Sequence, residues 1–389
     1  MGKFQKKAKS QRTVEVTNQA KFSKKALIEI YGSQEFKKIQ GNLYTYCRKF
    51  DMNNLDTTKS NMIVIKEAEG FYKGQKVINH AERQKVEEVG GSYRNITFLK
   101  SKESQKFAKG LSKLMNVSLK NQHGFVREKG IYDAARQILA THKETPVVDA
   151  VNIDLKNAFN AIPKAAVYKI FRIVFDLNHK DSETLTKLAT FNGYLYQGCP
   201  FAPQLYNVWV IGAIRSIEKM GFQVAAYADD LTVFSTKDRI TWNVIFAIKK
   251  RVQFWNFSIN PKKVRRFQLQ AADNLDTVGL KISLVGGFAE PLSFRKQARK
   301  LAFFVHLFLA KDLRYTRRYN KDGVFIQIYQ MIQGLYNWLE ESHRRYSRKL
   351  RKIMSKLQKK VRRIRKIYWK ERMETRQSSS PLEYLLIQQ

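Results

Sequence analysis

Three carboxylates carry the most chemical information in this chain. Asp154 closes the β-branched run Val147-Val148-Asp149-Ala150-Val151-Asn152-Ile153, and Asp229-Asp230 follows the apolar run Phe222–Ala226. With 72 Lys and Arg against 33 Asp and Glu, acids at the ends of apolar strands are the informative ones. Carboxylates converging from neighbouring strands repel one another unless a divalent cation lies between them. Magnesium suits such a site, because it takes hard oxygen ligands and leaves positions free for substrate phosphates. Two such ions ~3.5–4 Å apart activate an attacking hydroxyl and stabilise the leaving oxygen of a phosphoryl transfer. Taken alone, Asp-Asp after a strand is an ordinary polar turn, so its surroundings must decide.

The elements that would position these acids are legible from pattern. Val147–Ile153 reads as a buried strand, and Phe222–Ala226 with Leu231–Phe234 as a hairpin with the two acids at its tip. Lys164–Phe175 and Thr241–Trp255 read as helices, and Val278–Leu284 as another short strand. Upstream, a basic arm leads into helix, with Phe22, Leu27, Ile28 and Tyr31 at helical spacing. Met62–Ile65 and Arg94–Leu99 suit strands; 103–122 and Ile131–Thr141 suit helices. From Ser293 onward the pattern is wholly helical.

The charge balance constrains partners. A formal charge of +39 on 389 residues calls for a polyanion. With 43% hydrophobic and 12% aromatic residues the chain folds as a globular protein. No stretch reaches the ~18 apolar residues of a membrane span, and Lys3, Lys6, Lys7 and Lys9 are not followed by an apolar run. Cys47 and Cys199 make neither a disulfide framework nor a zinc site. A cytoplasmic, nucleic-acid-binding protein with no membrane partner is expected. Between Arg344 and Arg376 stand sixteen Lys or Arg and two Glu. There Leu350, Ile353, Met354, Leu357, Val361, Ile364 and Tyr368 form one apolar stripe, leaving Arg344, Arg345, Arg362, Arg363, Arg365 and Lys366 as candidate RNA contacts.

Tyr227-Ala228-Asp229-Asp230 within its apolar frame resembles the palm hairpin of reverse transcriptases. Ile153-Asp154-Leu155-Lys156-Asn157-Ala158-Phe159 is similar to the family's first motif, an aspartate followed five residues later by an aromatic. Gln197-Gly198-Cys199-Pro200-Phe201-Ala202-Pro203-Gln204-Leu205-Tyr206-Asn207 resembles the Gln-Gly-x-Pro-x-x-Pro-x-x-x-Asn segment of bacterial members. Asn260-Pro261-Lys262-Lys263 resembles the Asn-x-x-Lys element, Val278-Gly279-Leu280 the primer-grip strand, and His123-Gly124-Phe125 a segment preceding the palm in retron and group II intron enzymes.

The resemblance implies an α+β right-hand polymerase fold. Residues 1–60 would form a basic helical arm, 61–145 fingers, 146–285 palm, and 286–389 a helical, strongly basic thumb and extension. Fingers and palm interleave near 164–200. It implies an RNA-directed DNA polymerase working by two-metal nucleotidyl transfer with Mg2+, or Mn2+ as substitute. Asp154, Asp229, Asp230 and the carbonyl of Leu155 would be metal ligands, and Phe159 a steric gate against the 2′-hydroxyl, or else a plain core Phe. Gln197 and Gly198 would line the nucleotide pocket. Lys263, with Lys262 as its neighbouring alternative, would donate a proton to pyrophosphate, and Arg94 and Lys100 would grip the triphosphate. Val278, Gly279 and Leu280 would hold the primer. The implied partners are a noncoding RNA template, the DNA product and RNA–DNA hybrid, dNTPs, and a second defence protein or further copies of the chain. Retron enzymes carry Val-Thr-Gly where this chain has Thr277-Val278-Gly279, so the size and motifs favour a bacterial defence-associated type. A retron-type enzyme making RNA-linked single-stranded DNA, a terminal transferase, an idle RNA-binding scaffold and a viral-type RNA polymerase are the competing readings. Ala228 in place of the viral Gly, and Phe159, count against the last.

Overall fold

The computed structural model describes residues 2–66, 92–115, 121–269 and 274–292, with scattered positions between Ala298 and Lys366. The chain divides into two compact units, Met1–Ala272 and Asp273–Gln389. In the first, helices α1 (Gly2–Tyr31) and α2 (Ser33–Arg48) precede an antiparallel ribbon of β1 (Lys59–Lys66) and β2 (Ser92–Leu99). Helices α3 (Lys102–Leu114) and α4 (Ile131–Glu144) lead into β3 (Asp149–Lys156). Then come α5 (Lys164–Lys169), continued by a π-helical turn over Ile170–Val174, α6 (His179–Ala189), and the two-residue strands β4 (Thr190–Phe191) and β5 (Tyr194–Leu195). Helix α7 (Ala202–Glu218), β6 (Gln223–Tyr227), β7 (Asp230–Ser235), α8 (Trp242–Phe254), β8 (Ser258–Ile259) and β9 (Arg265–Gln268) complete the unit.

Strands β6, β7, β3 and β8 follow one another in a sheet, and β9 pairs with β3 on the same side as β8. All of these pairings are antiparallel. The central place of β3 explains its apolar sequence: Ala150, Val151, Ile153 and Leu155 are all buried. Helix α7 packs against β6 and α8, and α1 lies against α7. The near-continuous apolar run from Leu205 to Ile217 is what lets α7 be buried on almost every side. Trp209 and Trp255 meet edge to face at 5.3 Å, and Trp209 Nε1 donates to the Trp255 carbonyl at 2.9 Å. The Trp255 ring fills the space that a Cβ on Gly212 would need. At the start of β3, buried Asp149 accepts from Arg266 at 2.9 Å and from the Ile240 N–H at 3.0 Å, tying β9 and the α8 approach to the central strand.

Two expectations of secondary structure are corrected. Helix α3 stops at Leu114, and Asn121 and Gln122 do not continue it. The Ala226 N–H donates to the Asn121 carbonyl and the His123 N–H to the Ala226 carbonyl, both at 2.8 Å. The edge of β6 offers that backbone partners a helix would have to forgo. Val278–Leu284 is not one strand. In the second unit β10 (Asn274–Thr277), β11 (Leu280–Ser283) and β12 (Phe288–Pro291) form an antiparallel meander, and Val278 and Gly279 are the turn between the first two. Their φ values of 45° and 78° reverse the chain in two residues, a geometry that a β-branched residue conceals in sequence.

The described positions beyond Ala298 are helical, with Leu301, Val305, Ile332, Tyr336, Val361 and Ile364 buried. Arg362, Arg363 and Lys366 lie exposed on the same helical stretch as buried Val361 and Ile364. Arg344, Arg345, Arg365 and Leu357 lie outside the described residues. Among the described residues no helix is long and apolar enough to cross a membrane.

Candidate active site

Asp154 and Asp230 stand opposite each other in the register of β3 and β7. Asp229 occupies the turn between β6 and β7, and its carbonyl accepts the Leu155 N–H at 2.9 Å. That bond fastens the hairpin tip to β3, so the three acids are brought to one end of the sheet. Next to it Phe159 lies in the turn after β3, opened by Asn157 at φ 51°.

The tip itself is held in an unfavourable backbone shape. Ala228 has φ 55°, a left-handed conformation that L-residues with a Cβ avoid. The buried side chain of Gln122 compensates. Its Nε2 donates to the Ala228 carbonyl at 3.0 Å, while its Oε1 accepts the N–H of Ala228 at 3.0 Å and of Gly124 at 2.9 Å. Tyr206 donates its hydroxyl to the same Ala228 carbonyl at 2.9 Å. Burial, then the charges of Asp229 and Asp230, push the Tyr206 hydroxyl well above its usual range, so it stays a donor. A Cβ on Gly124 would run into the Ala228 backbone, and Asn207 Nδ2 donates to the Gly124 carbonyl at 3.2 Å. Sequence reasoning passed over Gln122 and Tyr206. Their signals were faint: Tyr206 is one polar residue within the Gln197–Asn207 segment, Gln122 ends a stretch that suits a helix, and the Gln122 contact spans 106 positions.

Phe159 packs between Tyr206, at 5.4 Å, and Phe125, at 5.8 Å. It is half-buried, neither a sealed core residue nor part of a helix. Phe125 is 42% exposed and has φ 59°, an uncommon state for a bulky side chain.

Lys263 ends a short 3₁₀ turn, Pro261–Lys263, in which Asn260 Oδ1 accepts the Lys262 N–H at 3.3 Å. Of the two adjacent lysines it is Lys263 that reaches the acids, with Nζ 2.6 Å from Asp154 Oδ1. That hydrogen bond raises the Lys263 pKa. Asn260 also donates its N–H to the Asp154 carbonyl at 2.9 Å and approaches Asp154 Oδ2 with Nδ2 at 3.4 Å. Asp230 is pushed up to about 6, first by lost hydration, then by the charges of Asp229 and Asp154, with Lys263 acting the opposite way.

Gln197 and Gly198 form an exposed turn, with Gly198 at φ 119°. The Gln197 carbonyl accepts the Thr97 N–H of β2 at 3.1 Å. Arg94 is on the same strand opposite Val64, and exposed Lys100 follows its end, where its N–H donates to the Thr58 carbonyl at 3.0 Å. The ribbon that carries Arg94, and that Lys100 directly follows, is therefore tied to the Gln197-Gly198 turn. Val278, Gly279 and Leu280 belong to the second unit.

The donor set fits a hard divalent cation. Three carboxylates gather where, among the described residues, the neutralising side chain on Asp154 is a lysine, and lost hydration first, then the charges of Asp229 and Asp154, lift Asp230. As they stand, no three acid, imidazole or thiol groups among the described residues are close enough to enclose an ion. A cation would have to take Asp154 from Lys263.

The family model for reverse transcriptase (RNA-dependent DNA polymerase) matches residues 84–283. That span holds Asp154, Phe159, Gln197, Gly198, Asp229, Asp230 and Lys263. Among solved structures, telomerase from Candida albicans in complex with a TWJ fragment of telomeric RNA is 13% identical, with 71% of this chain and 53% of that chain covered and a TM-score of 0.42. Apo telomerase from Candida tropicalis is 12% identical, covering 70% and 60%, with a TM-score of 0.40. The form truncated from its C-terminal domain is 13% identical, covering 52% and 53%, with a TM-score of 0.38. The chain spans 53–60% of the length of these structures.

Two outcomes are expected of this geometry. Gln122→Met leaves the Ala228 and Gly124 N–H groups without their acceptor. It should lower stability by about 1–3 kcal/mol and weaken any rise in melting temperature on addition of a divalent cation. An unchanged cation response would separate Gln122 from the positioning of Asp229. The second outcome concerns pH. Asp230 is harder to ionise in the fold than at its ordinary value of about 3.9, so its charge costs stability above about pH 6 and nothing below about pH 4. In EDTA, Asp230→Asn should therefore melt higher than the native chain at pH 8, with the difference closing as the pH falls. Thermal melts across that range give the answer.

Proposed function

The chain belongs to the reverse transcriptase (RNA-dependent DNA polymerase) family of nucleotidyltransferases, and we propose that it copies a dedicated noncoding RNA into DNA in the service of antiphage defence. The observation that carries the catalytic reading is the register of β3 and β7, with Asp154 opposite Asp230 and Asp229 bonded to β3 through Leu155. The +39 charge supports a nucleic-acid partner, and the motifs of the bacterial members support the choice of template and setting. In this reading residues 61–145 are fingers, 146–285 palm, and 286–389 thumb and extension.

In the reaction the 3′-hydroxyl of the growing strand gives up its proton to solvent, and its oxygen bonds to the α-phosphorus of a deoxynucleoside triphosphate. The bond from that phosphorus to the β-phosphate oxygen breaks, and pyrophosphate leaves. Asp154, Asp229, Asp230 and the Leu155 carbonyl would hold two divalent cations, magnesium or manganese in its place, which supply charge neutralisation at the reacting phosphate. Protein groups otherwise position and neutralise. Phe159, braced by Tyr206 and Phe125, presents a rigid edge beside the sugar and excludes a 2′-hydroxyl. Lys263 is within reach of the same carboxylate cluster and donates a proton to the departing pyrophosphate. Gln197 and Gly198 offer an exposed backbone turn to the nucleotide, and Arg94, on the ribbon bonded to that turn, and Lys100, directly after it, neutralise the triphosphate. Val278, Gly279 and Leu280 hold the primer, and Arg344, Arg345, Arg362, Arg363, Arg365 and Lys366 meet the RNA.

The test is extension of a primer on an RNA template by the purified chain, with sequencing of the product. Asp154→Asn alone, and Asp229→Asn with Asp230→Asn, should each abolish incorporation while RNA binding stays near that of the native chain. Phe159→Val should raise the ratio of ribonucleotide to deoxynucleotide incorporation at least tenfold. Near-native extension by the double variant would sink the two-metal reading, and products unrelated to the template would favour terminal transfer. An unchanged sugar ratio in an active Phe159→Val chain would return that ring to a packing role.

A further inference from the structure

Helix α8 buries Ile245, Ile248 and Val252 on one side and leaves aromatic rings on the other. Trp242 is 67% exposed, Phe246 56% and Phe254 46%. With Lys250 they recur every fourth residue, which makes a row slanting across the solvent face of the helix. Steps along it are about 6 Å, four residues at 1.5 Å each. The Lys250 ammonium lies 4.8 Å from the Phe246 ring centre. Exposed Lys249 and Arg251 flank the row, and α8 contains no acid. The loop ahead of the helix adds exposed Lys237 and Arg239 against one acid, Asp238. Large exposed aromatics gathered in one place mark an interaction surface, whereas scattered ones do not.

We propose that this row binds single-stranded nucleic acid, with bases stacked on Trp242, Phe246 and Phe254 and phosphates on Lys249, Lys250 and Arg251. The mixture of groups selects this partner. An apolar protein surface would have to desolvate three cations lying among the rings, whereas a phosphate backbone neutralises them. Every base has a π face, so a row of rings beside cations takes a strand without reading its sequence. The spacing of about 6 Å suits successive bases of an extended strand, and Lys250 can exchange its ring contact for a phosphate when a base occupies Phe246.

Topology gives the row a direction. β7 starts at Asp230 and runs six residues to Ser235, away from the catalytic turn. The chain then enters α8 at Trp242 and leaves it at Phe254, just before β8 pairs Ile259 with Leu155 beside Asp154. A strand lying along the row is thus led between the far end of the sheet and its catalytic end. This surface includes no residue assigned above to catalysis, so it stands or falls separately from that reading.

The test uses the full chain with Trp242, Phe246 and Phe254 replaced together by Ser, beside a Lys249→Gln, Lys250→Gln, Arg251→Gln variant. Both sets are exposed, so melting temperatures should stay near the native value. Affinity for a fluorescent single-stranded twelve-nucleotide RNA should fall at least tenfold in the first variant. In the second, the log–log salt slope should flatten by roughly 0.7 per lost contact. A 4-thiouridine probe should crosslink to peptides of α8 in the native chain. Matched single-stranded DNA and duplex RNA arms separate template from product: tighter binding of the RNA strand points to template, tighter binding of the DNA strand to product. Absence of α8 crosslinks with unchanged affinity in the Ser variant would overturn the proposal. So would self-association of the native chain that the Ser variant loses while its RNA affinity holds, which would make the row a protein contact.

Discussion

Like-charge repulsion among three carboxylates is the constraint around which the first unit is arranged. Asp154, Asp229 and Asp230 come from two adjacent strands and one turn, and nothing in their own chemistry favours that company. Backbone bonds enforce it. β3 supplies the Leu155 N–H to Asp229 and receives the Asn260 N–H on Asp154, so the acids are fixed through main chain and not through side-chain attraction. The left-handed Ala228 is the price of turning the tip this sharply. Gln122, Tyr206 and the bare Cα of Gly124 surround that one peptide and leave it few other conformations.

What could be read from the sequence follows from how local each signal is. β3, β6 and β7 were legible because β-branched and apolar runs stop at acids, and that pattern has few readings other than strands with a polar end. α8 was legible because Thr241 caps it, its side chain accepting the Val244 N–H, and because Ile245, Ile248 and Val252 repeat at helical spacing. The Val278-Gly279 turn was hidden by a β-branched residue in a conformation it rarely adopts. The end of α3 was hidden because residues 121–123 answer to β6, about a hundred positions away, and not to their neighbours. The resemblance put Lys263 ahead of Lys262, and the structure gives the physical reason the two are not interchangeable: a one-residue step on a 3₁₀ turn swings the side chain by about 120°. The role of Gln122 needed coordinates altogether, because a lone glutamine has no pattern.

The exposed rings of α8 fit the same logic of charge. In a chain of +39, packing surfaces are scarce wherever lysines crowd, and a helix that buries three aliphatic side chains has already spent its internal face. Rings left outside amid cations are costly to hydrate and useless to an internal core, which leaves an outside partner as the consistent reason for them.

The two aspartates of β3 make the division between structure and chemistry plainest. Asp149 and Asp154 share one strand, yet Asp149 is 1% exposed and paired with Arg266, whereas Asp154 is paired with a lysine 59% exposed. Arginine holds Asp149 with a planar, permanently charged group whose own side chain is 21% exposed, and the Ile240 N–H shares the same oxygen. Losing either partner there would leave a buried charge uncompensated, so that pair stays closed and ties β9 to β3. At Asp154, itself 12% exposed, the compensating charge sits at the end of a flexible and mostly exposed stem, where release costs less than at Asp149. In the two-metal reading proposed above, β3 must stay in register and also present a carboxylate to an exchangeable cation, which calls for one neutralisation that cannot leave and one that can. The difference between Arg266 and Lys263 meets both needs on a single element.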